Sequence, residues 1–395
     1  TSLVFLENIN DPCLVLLEDS KPYLKPKQVR NCRDLLALDS FKGTLVFLGV
    51  TPDVPSEMLH DVLHLTYALP TQAEVLVMVT ATIKGLDADQ RQSITEASAG
   101  LTLNEARTLM RIGMETHGSS RFERVIENVW SARNKQIAAI GLVDVARPND
   151  RWDEIGDLPH VKQYYKDLAP AFSLEAARAG VPRPRGALFF GPPGTAKSKA
   201  AKAVSAHLSE VSGRRWNYAD VDIGQSMSKW VGESERLQDA QLDVLNAISP
   251  VVARFDEASM QFSGYQSSGE TDAGSMARKN QKILTWMAER SHDVYVIFTT
   301  NEPWGLQSLA TRSGRLHTWL YFPLPSLEGL VDILLIHLKK YLKLTATALK
   351  LFDLREIASE MFRRKFSGSD VEQTVIRALQ TTFQILSSRN TSWLA

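Results

Sequence analysis

Eight consecutive residues, Gly191, Pro192, Pro193, Gly194, Thr195, Ala196, Lys197 and Ser198, are of the types that hold a polyphosphate. They follow a short apolar run and open a helical pattern. A small-residue loop between strand and helix gathers backbone N–H groups and the positive helix end around an anion. Lys197 can reach β- and γ-phosphates, and the Ser198 hydroxyl can ligand Mg2+. The one departure from the G-x-x-x-x-G-K-[ST] pattern is Ala196. Its methyl stands where the backbone approaches phosphate most closely, so crowding of the loop is expected there.

Asp256 and Glu257 close the apolar run Val251–Phe255. At a strand end, Asp256 is expected to hold Mg2+ through water and Glu257 to polarise the attacking water as general base. Asn301 closes a further apolar run, Val294–Thr300, and is expected beside the γ-phosphate, where an amide can orient water. Arg312 and Arg315, separated by Ser313 and Gly314, offer two guanidiniums for charge developing on the γ-phosphate. Such an arginine is typically worth ~10³–10⁵ in rate. Each motif alone has a bland reading as chance loop, surface acids, turn or surface cations. Their order along one chain outweighs it. Arg254, inside an otherwise apolar run, has no role readable from its position.

The elements that must carry these residues follow from periodicity. From Gly186 onward, apolar runs at Ala187–Phe190, Trp216–Val221, Val251–Phe255, Val294–Thr300 and Trp319–Leu324 alternate with helical patterns. Alternation of this kind predicts a parallel sheet covered by helices. Beyond Leu324-Pro325 the pattern is helical only, through Leu330–Leu342, Leu354–Arg363 and Ser369–Leu386. The first 130 or so residues echo this layout, with strands expected at Cys13–Leu17, Thr44–Val50 and Leu65–Leu69 and helices after them. Leu69-Pro70 mirrors Leu324-Pro325, and Gly100–Met110 matches Lys365–Ile376 in pattern, so an internal duplication is inferred. The first copy has Glu18-Asp19 but no phosphate loop. The expected division is a degenerate or truncated α/β module (1–86), its helical subdomain (87–135), a linker and adenine-contacting lead-in (136–160), an active α/β subdomain (161–325) and a helical lid (326–395).

Composition bounds the rest. The chain has 395 residues, 44% apolar and 23% charged, which suits two or three globular modules and excludes disordered or collagen-like classes. Lysine plus arginine equals aspartate plus glutamate at 45 each, so nothing demands a polyanionic partner. Cys13 and Cys32 are too few for a disulfide framework, and no apolar stretch approaches the ~20 residues needed to cross a bilayer. A cytoplasmic protein is expected. The chain opens on Thr1-Ser2 rather than Met, so further sequence is expected upstream, and no signal-peptide pattern follows.

The series of phosphate loop, acid pair, Asn301 and Arg312/Arg315 resembles the AAA+ superfamily, and within it the ring-forming AAA group. Trp152–Leu158 resembles the segment those proteins fold over adenine, and Phe366–Asp370 the lid motif closing the same pocket. The resemblance carries Ile155, Gly156, Gly368 and Ser369 over as nucleotide contacts. The whole chain is most similar to a bacterial and plastid AAA family named for a hypothetical chloroplast reading frame, whose members join a degenerate AAA-like module to an active one. What the resemblance implies is a P-loop α/β fold with a helical lid, Mg-ATP hydrolysis, arginines acting across subunits of a ring, a hexamer, and plastid stroma as location if the gene is plastid-encoded. Ser228–Glu235 resembles the first pore loop of polypeptide-gripping rings, with Trp230 and Val231 as the aromatic–apolar pair. A motor that remodels or threads a protein substrate is therefore the leading expectation. An ATP-dependent scaffold or switch with slow hydrolysis is the second. A nucleic-acid motor or loader is the third, and the neutral charge argues against it.

Overall fold

The computed structural model describes residues 11–18, 26–38, 41–48, 62–63, 65, 69–118, 121–139, 143–146, 150–221, 231–259, 272–289, 293–306, 316, 318–342 and 353–388. It divides into two compact units, Thr1–Ala68 and Leu69–Ala395.

In the first unit, β1 (Leu14–Glu18) and β2 (Thr44–Leu48) pair in parallel, with helix α1 (Pro26–Leu36) between them in sequence. Parallel neighbours need such a crossover. Val29 and Cys32 of α1 are buried against Leu45, Phe47 and Val62. The third strand expected at 65–69 is not formed at Leu65 or Leu69, while 66–68 lie outside the described residues. Asp19 also lies outside them.

The second unit opens with four helices: α2 (Gln72–Thr82), α3 (Ala88–Ala97), α4 (Leu103–His117) and α5 (Phe122–Ala139). They bury a common core that includes Val75, Val79, Ile94, Met110 and Val125. The boundary expected at 86/87 thus falls inside this bundle, because Leu86 and the α2 residues share its core. Reciprocal capping boxes start three of the helices, at Thr71/Glu74, Asp87/Gln90 and Thr102/Glu105, each closing otherwise unpaired N–H groups.

A six-stranded sheet follows, in the order β3-β5-β6-β7-β4-β8. Its strands are β3 (Asp144–Ala146), β4 (Gly186–Phe190), β5 (Asn217–Val221), β6 (Val251–Phe255), β7 (Val294–Thr300) and β8 (Thr318–Tyr321). All are parallel except β3, which pairs antiparallel with β5. The stretch expected as linker therefore contributes an edge strand, with buried Val143 and Val145 fixing it to the core. The strand expected to run to Leu324 stops at Tyr321, where Pro323 and Pro325 lack the N–H a ladder needs.

Strand side chains alternate between two cores. Leu188, Val251, Ala253, Phe255, Val296 and Phe298 face α9 (Val231–Ala247) and α10 (Asp272–Glu289). Ala187, Phe189, Val252, Tyr295 and Ile297 face α6 (Pro159–Leu168) and α8 (Lys197–Ser212). The short α7 (Leu174–Arg178) precedes β4. Apolar strands buried on both faces are what a parallel sheet between helical layers requires.

The chain ends in α11 (Leu327–Leu342), α12 (Leu354–Arg363) and α13 (Gly368–Ser388), packed around Leu330, Leu334, Ala358, Met361 and Val371. The start of α13 repeats the local chemistry of α4. Gly100 and Lys365 both have positive φ, at 85° and 56°. Thr102/Glu105 and Ser367/Asp370 both form reciprocal side-chain-to-backbone bonds.

The four-helix bundle is tied to the sheet. Arg133 of α5 is fully buried and donates from Nη2 to Asn217 Oδ1 at 3.2 Å and from Nη1 to the carbonyls of Glu96 and Ala99. Its Nε and Nη2 also reach Asn134 Oδ1, at 3.0 and 2.9 Å. Asn217 in turn donates to Ile248 O at 2.7 Å, and Gln72 Nε2 to Ser249 O at 2.8 Å. No helix among the described residues is long and apolar enough to cross a membrane.

Candidate functional site

The phosphate loop connects β4 to the first turn of α8, as its composition requires. Gly191 (φ 147°) lies against the Phe322 carbonyl, so close that a Cβ would overlap it. Gly194 (φ 76°) is as close to Ser367 and Ser369, and only glycine combines that torsion with that approach. Ala196 takes a left-handed conformation at the helix N-cap (φ 66°, ψ 23°). Its methyl packs against the core on the α8 face, which accommodates the side chain expected to crowd the loop.

Lys197 is buried within its own loop. Nζ donates to Gly191 O and Pro192 O at 2.7 Å each and to Asn301 Oδ1 at 2.9 Å. Burial pulls its pKa below the usual lysine value, and the nearby Asp256 carboxylate pulls it back up. Thr195 Oγ1 donates to Pro192 O at 2.9 Å and pins the turn.

Asp256 and Glu257 follow β6 directly. Thr299 of β7 donates its hydroxyl to Asp256 Oδ1, and the Glu257 N–H reaches that oxygen at 3.1 Å. Glu257 has a positive φ of 48°, uncommon for a side chain of its kind, and is exposed to the cavity. Such strain at the end of a buried strand fits a functional position.

Arg254, unexplained by the sequence, has a defined setting. Period-two alternation puts it on the same face as Val252, toward α8. It is registered opposite Asp220 of β5. Nε donates to Asp220 Oδ1 at 2.5 Å, and Nη1 meets both Ser198 Oγ and Asp256 Oδ2, the latter at 3.1 Å. Burial works against its charge, but Tyr218, Asp220 and Asp256 outweigh that and leave its pKa raised. Asp220 and Thr299 are site neighbours that sequence reasoning missed, since their approach depends on register between strands distant in sequence.

The lead-in and the lid close over the loop. Ile155 is buried, and Gly156 abuts the Ile333 backbone of α11 so tightly that a Cβ would overlap it. Lys162 Nζ holds Ile155 O at 2.6 Å, and Lys199 Nζ holds Glu154 O at 2.8 Å. Asp157 accepts from Ser326 N and Oγ at 2.8 and 3.0 Å, joining the lead-in to the first turn of the lid. Ser369 N donates to Gly194 O at 3.2 Å, and Gly368 faces the same carbonyl.

A cavity of about 940 Å³ brings these parts together. It is lined by Ile155, Gly156, Pro193, Gly194, Thr195, Ala196, Lys197, Ser198, Asp256, Glu257, Asn301, Gly368 and Ser369. Gly191 and Pro192 do not line it; their carbonyls accept from Lys197 Nζ. His337, Lys340 and Glu372 of the lid also line it, although no motif pointed to them. Ser198 Oγ and Asp256 offer hard oxygen donors of the kind that suit Mg2+, and both already meet a cation, so the residues present fit that ion. Arg312, Arg315 and Trp230 lie outside the described residues. Val231 opens α9, and its side chain is likewise outside them.

Residues 187–324 match the family model described as "ATPase family associated with various cellular activities (AAA)". The AAA domain-containing protein ycf46 of Trieres chinensis is 27% identical over 382 residues, covering 94% of this chain and 73% of that protein. Its counterpart in Guillardia theta is 26% identical over 95% of this chain and 72% of the relative. The Cell division cycle protein 48 homolog of Archaeoglobus fulgidus is 33% identical over 261 residues, 63% of this chain and 34% of that protein.

Proposed function

From the premise that this chain carries an AAA ATPase domain and is a relative of the ycf46 proteins along nearly all its length, we propose that it binds and hydrolyses Mg-ATP within a ring of its own copies and spends that energy remodelling a protein substrate. The observation that supports the nucleotide-binding part of this reading is the cavity into which loop, acid pair, Asn301, lead-in and lid all converge.

In this reading the loop N–H groups and Lys197 bind the β- and γ-phosphates, and Ile155, Gly156, Gly368 and Ser369 enclose the base. Glu257 takes a proton from the attacking water, which Asn301 orients. Ser198 and Asp256 would hold Mg2+, which supplies neutralisation of the phosphate charge. Arg312 and Arg315 act on the neighbouring subunit's nucleotide, which makes the ring, most simply a hexamer, a condition of turnover. Trp230 and Val231 are assigned the task of gripping an extended chain. The residues before about 136 are read as a degenerate copy that binds no nucleotide; the repeated cap chemistry of α4 and α13 supports the duplication.

A second reading, a nucleotide switch with slow hydrolysis, is favoured by one observation: Arg254 already engages both Ser198 and Asp256. The test is ATP turnover by the purified protein alone, with a permanently unfolded protein, and with DNA. Stimulation by unfolded protein is expected. Stimulation by neither would leave the switch, and stimulation by DNA alone would replace both.

A further inference from the structure

The division of roles above gives Ser198 and Asp256 to a metal and leaves Arg254 without a task. Yet the Arg254 guanidinium spans just those two side chains. Its Nη1 meets Ser198 Oγ and lies 3.1 Å from Asp256 Oδ2. A guanidinium keeps its charge at any accessible pH and offers several donors in a rigid fork.

The placement is built in. Asp220 is the register partner of Arg254 across β5 and β6, so two adjacent backbones fix the anchor. Tyr218 donates its hydroxyl to the same Asp220 oxygen at 2.7 Å. Thr299 holds the opposite oxygen of Asp256. The Arg254 side chain is only 13% exposed, yet its tip reaches the cavity's own ligands. A strut that merely tied β6 to β5 would be complete with Asp220. The additional reach to the Mg2+-ligand pair is what a strut does not need.

We propose that Arg254 is a resident cation of the nucleotide site, engaging the same two side chains, Ser198 and Asp256, that would hold magnesium. The protein therefore binds nucleoside di- and triphosphates with little need of Mg2+. Ser198 and Asp256 would have to leave the guanidinium to hold Mg2+, whereas the Nε contact to Asp220 needs neither of them. Tight binding and turnover then have different magnesium requirements, and a nucleotide can be held without being hydrolysed. This rests on the ATP-binding reading given above.

The test is binding of a fluorescent ADP analogue, in excess EDTA and in millimolar Mg2+, to the full chain and to the double variant Arg254→Met/Asp220→Asn. The second substitution avoids leaving a carboxylate unpaired. For the wild type, affinities in the two conditions are expected to agree within about tenfold, the size of one charge-assisted hydrogen bond. The double variant should bind at least about tenfold more weakly in EDTA and as well as the wild type in Mg2+. Its nucleotide complex should also hold Mn2+ more tightly, read by electron paramagnetic resonance of free Mn2+. A wild type that loses more than about a hundredfold in EDTA overturns the proposal. So does a double variant that keeps the wild-type ratio. If the double variant fails to fold, the wild-type ratio decides alone. Absence of binding in both conditions refutes nucleotide binding itself, and this inference with it.

Discussion

Lys197 Nζ donates to Asn301 Oδ1 at 2.9 Å, across the gap between the first turn of α8 and the end of β7. The amine that would meet phosphate is thus already desolvated and aimed, held by neutral acceptors it can exchange for phosphate oxygens. Glu257, by contrast, contacts neither Lys197 nor the loop carbonyls that hold it. Lys197→Ala is expected to weaken ATP binding by about a hundredfold or more, since it removes a charged donor from a buried site. Glu257→Gln should keep affinity within a few-fold and lose about 10²–10⁴ in turnover. Equilibrium nucleotide binding beside a phosphate-release assay checks both, and equal loss of binding in the two variants would defeat the division of roles.

Arg312 and Arg315 are proposed to act on a neighbour's nucleotide. Rings mixed from an Arg312→Ala/Arg315→Ala subunit and a Lys197→Ala subunit should recover part of the turnover that each lacks alone. The readout is ATP hydrolysis against mixing ratio, with mixed assembly verified by native mass spectrometry. No recovery in verified mixed rings would count against catalysis across the interface.

Trp230→Ala should leave assembly and basal turnover within about twofold of wild type and abolish stimulation by an unfolded protein. An indole offers flat apolar area to any extended chain without reading its sequence. If the variant instead loses its cooperative melt, Trp230 is a core residue and the threading reading fails.

Arg133 is buried among Asn134, Asn217 and two backbone carbonyls, with Trp130 under its guanidinium at 5.6 Å. Arg133→Ala should cost about 3 kcal/mol or more, because it opens a large void and strands several acceptors. Arg133→Met fills most of the volume and removes a buried charge, so it should cost less than half as much. Urea unfolding of the full chain measures both. Similar losses would mean that the hydrogen bonds outweigh the packing.

His337 of α11 is pushed below the usual histidine pKa chiefly by burial, with Glu372 opposing and Lys199 and Lys340 adding to the shift. A depressed folded-state pKa means that the neutral ring's contribution is complete above about pH 6.5 and is lost as the pH falls through the lower folded value. Melting temperature should therefore drop between pH 7.5 and pH 5.5, and His337→Asn should shrink that drop by about 1 °C or more. An unchanged pH dependence in the variant would remove His337 as its source.

The sequence alone determined the elements that depend on local patterning. The strands Val251–Phe255 and Val294–Thr300 and the helix Leu354–Arg363 were legible to the residue. Apolar runs bounded by polar residues, or an amphipathic period behind a capping aspartate, need no distant partner to be read. The phosphate loop was legible for the same reason, since Gly191 to Ser198 carry their chemistry within one strand–loop–helix unit. Only the tertiary structure decided what depends on which strands lie side by side. Val145 sits in a segment that reads as linker, and it becomes an edge-strand residue because β5 leaves an open flank beside it. Arg254 reads as an anomaly in an apolar run. It acquires Asp220 because the β5–β6 register sets those two Cα atoms opposite each other, and Ser198 because α8 lies on that face. Register and face are settled by the packing of the whole sheet, which no window of sequence around Arg254 contains.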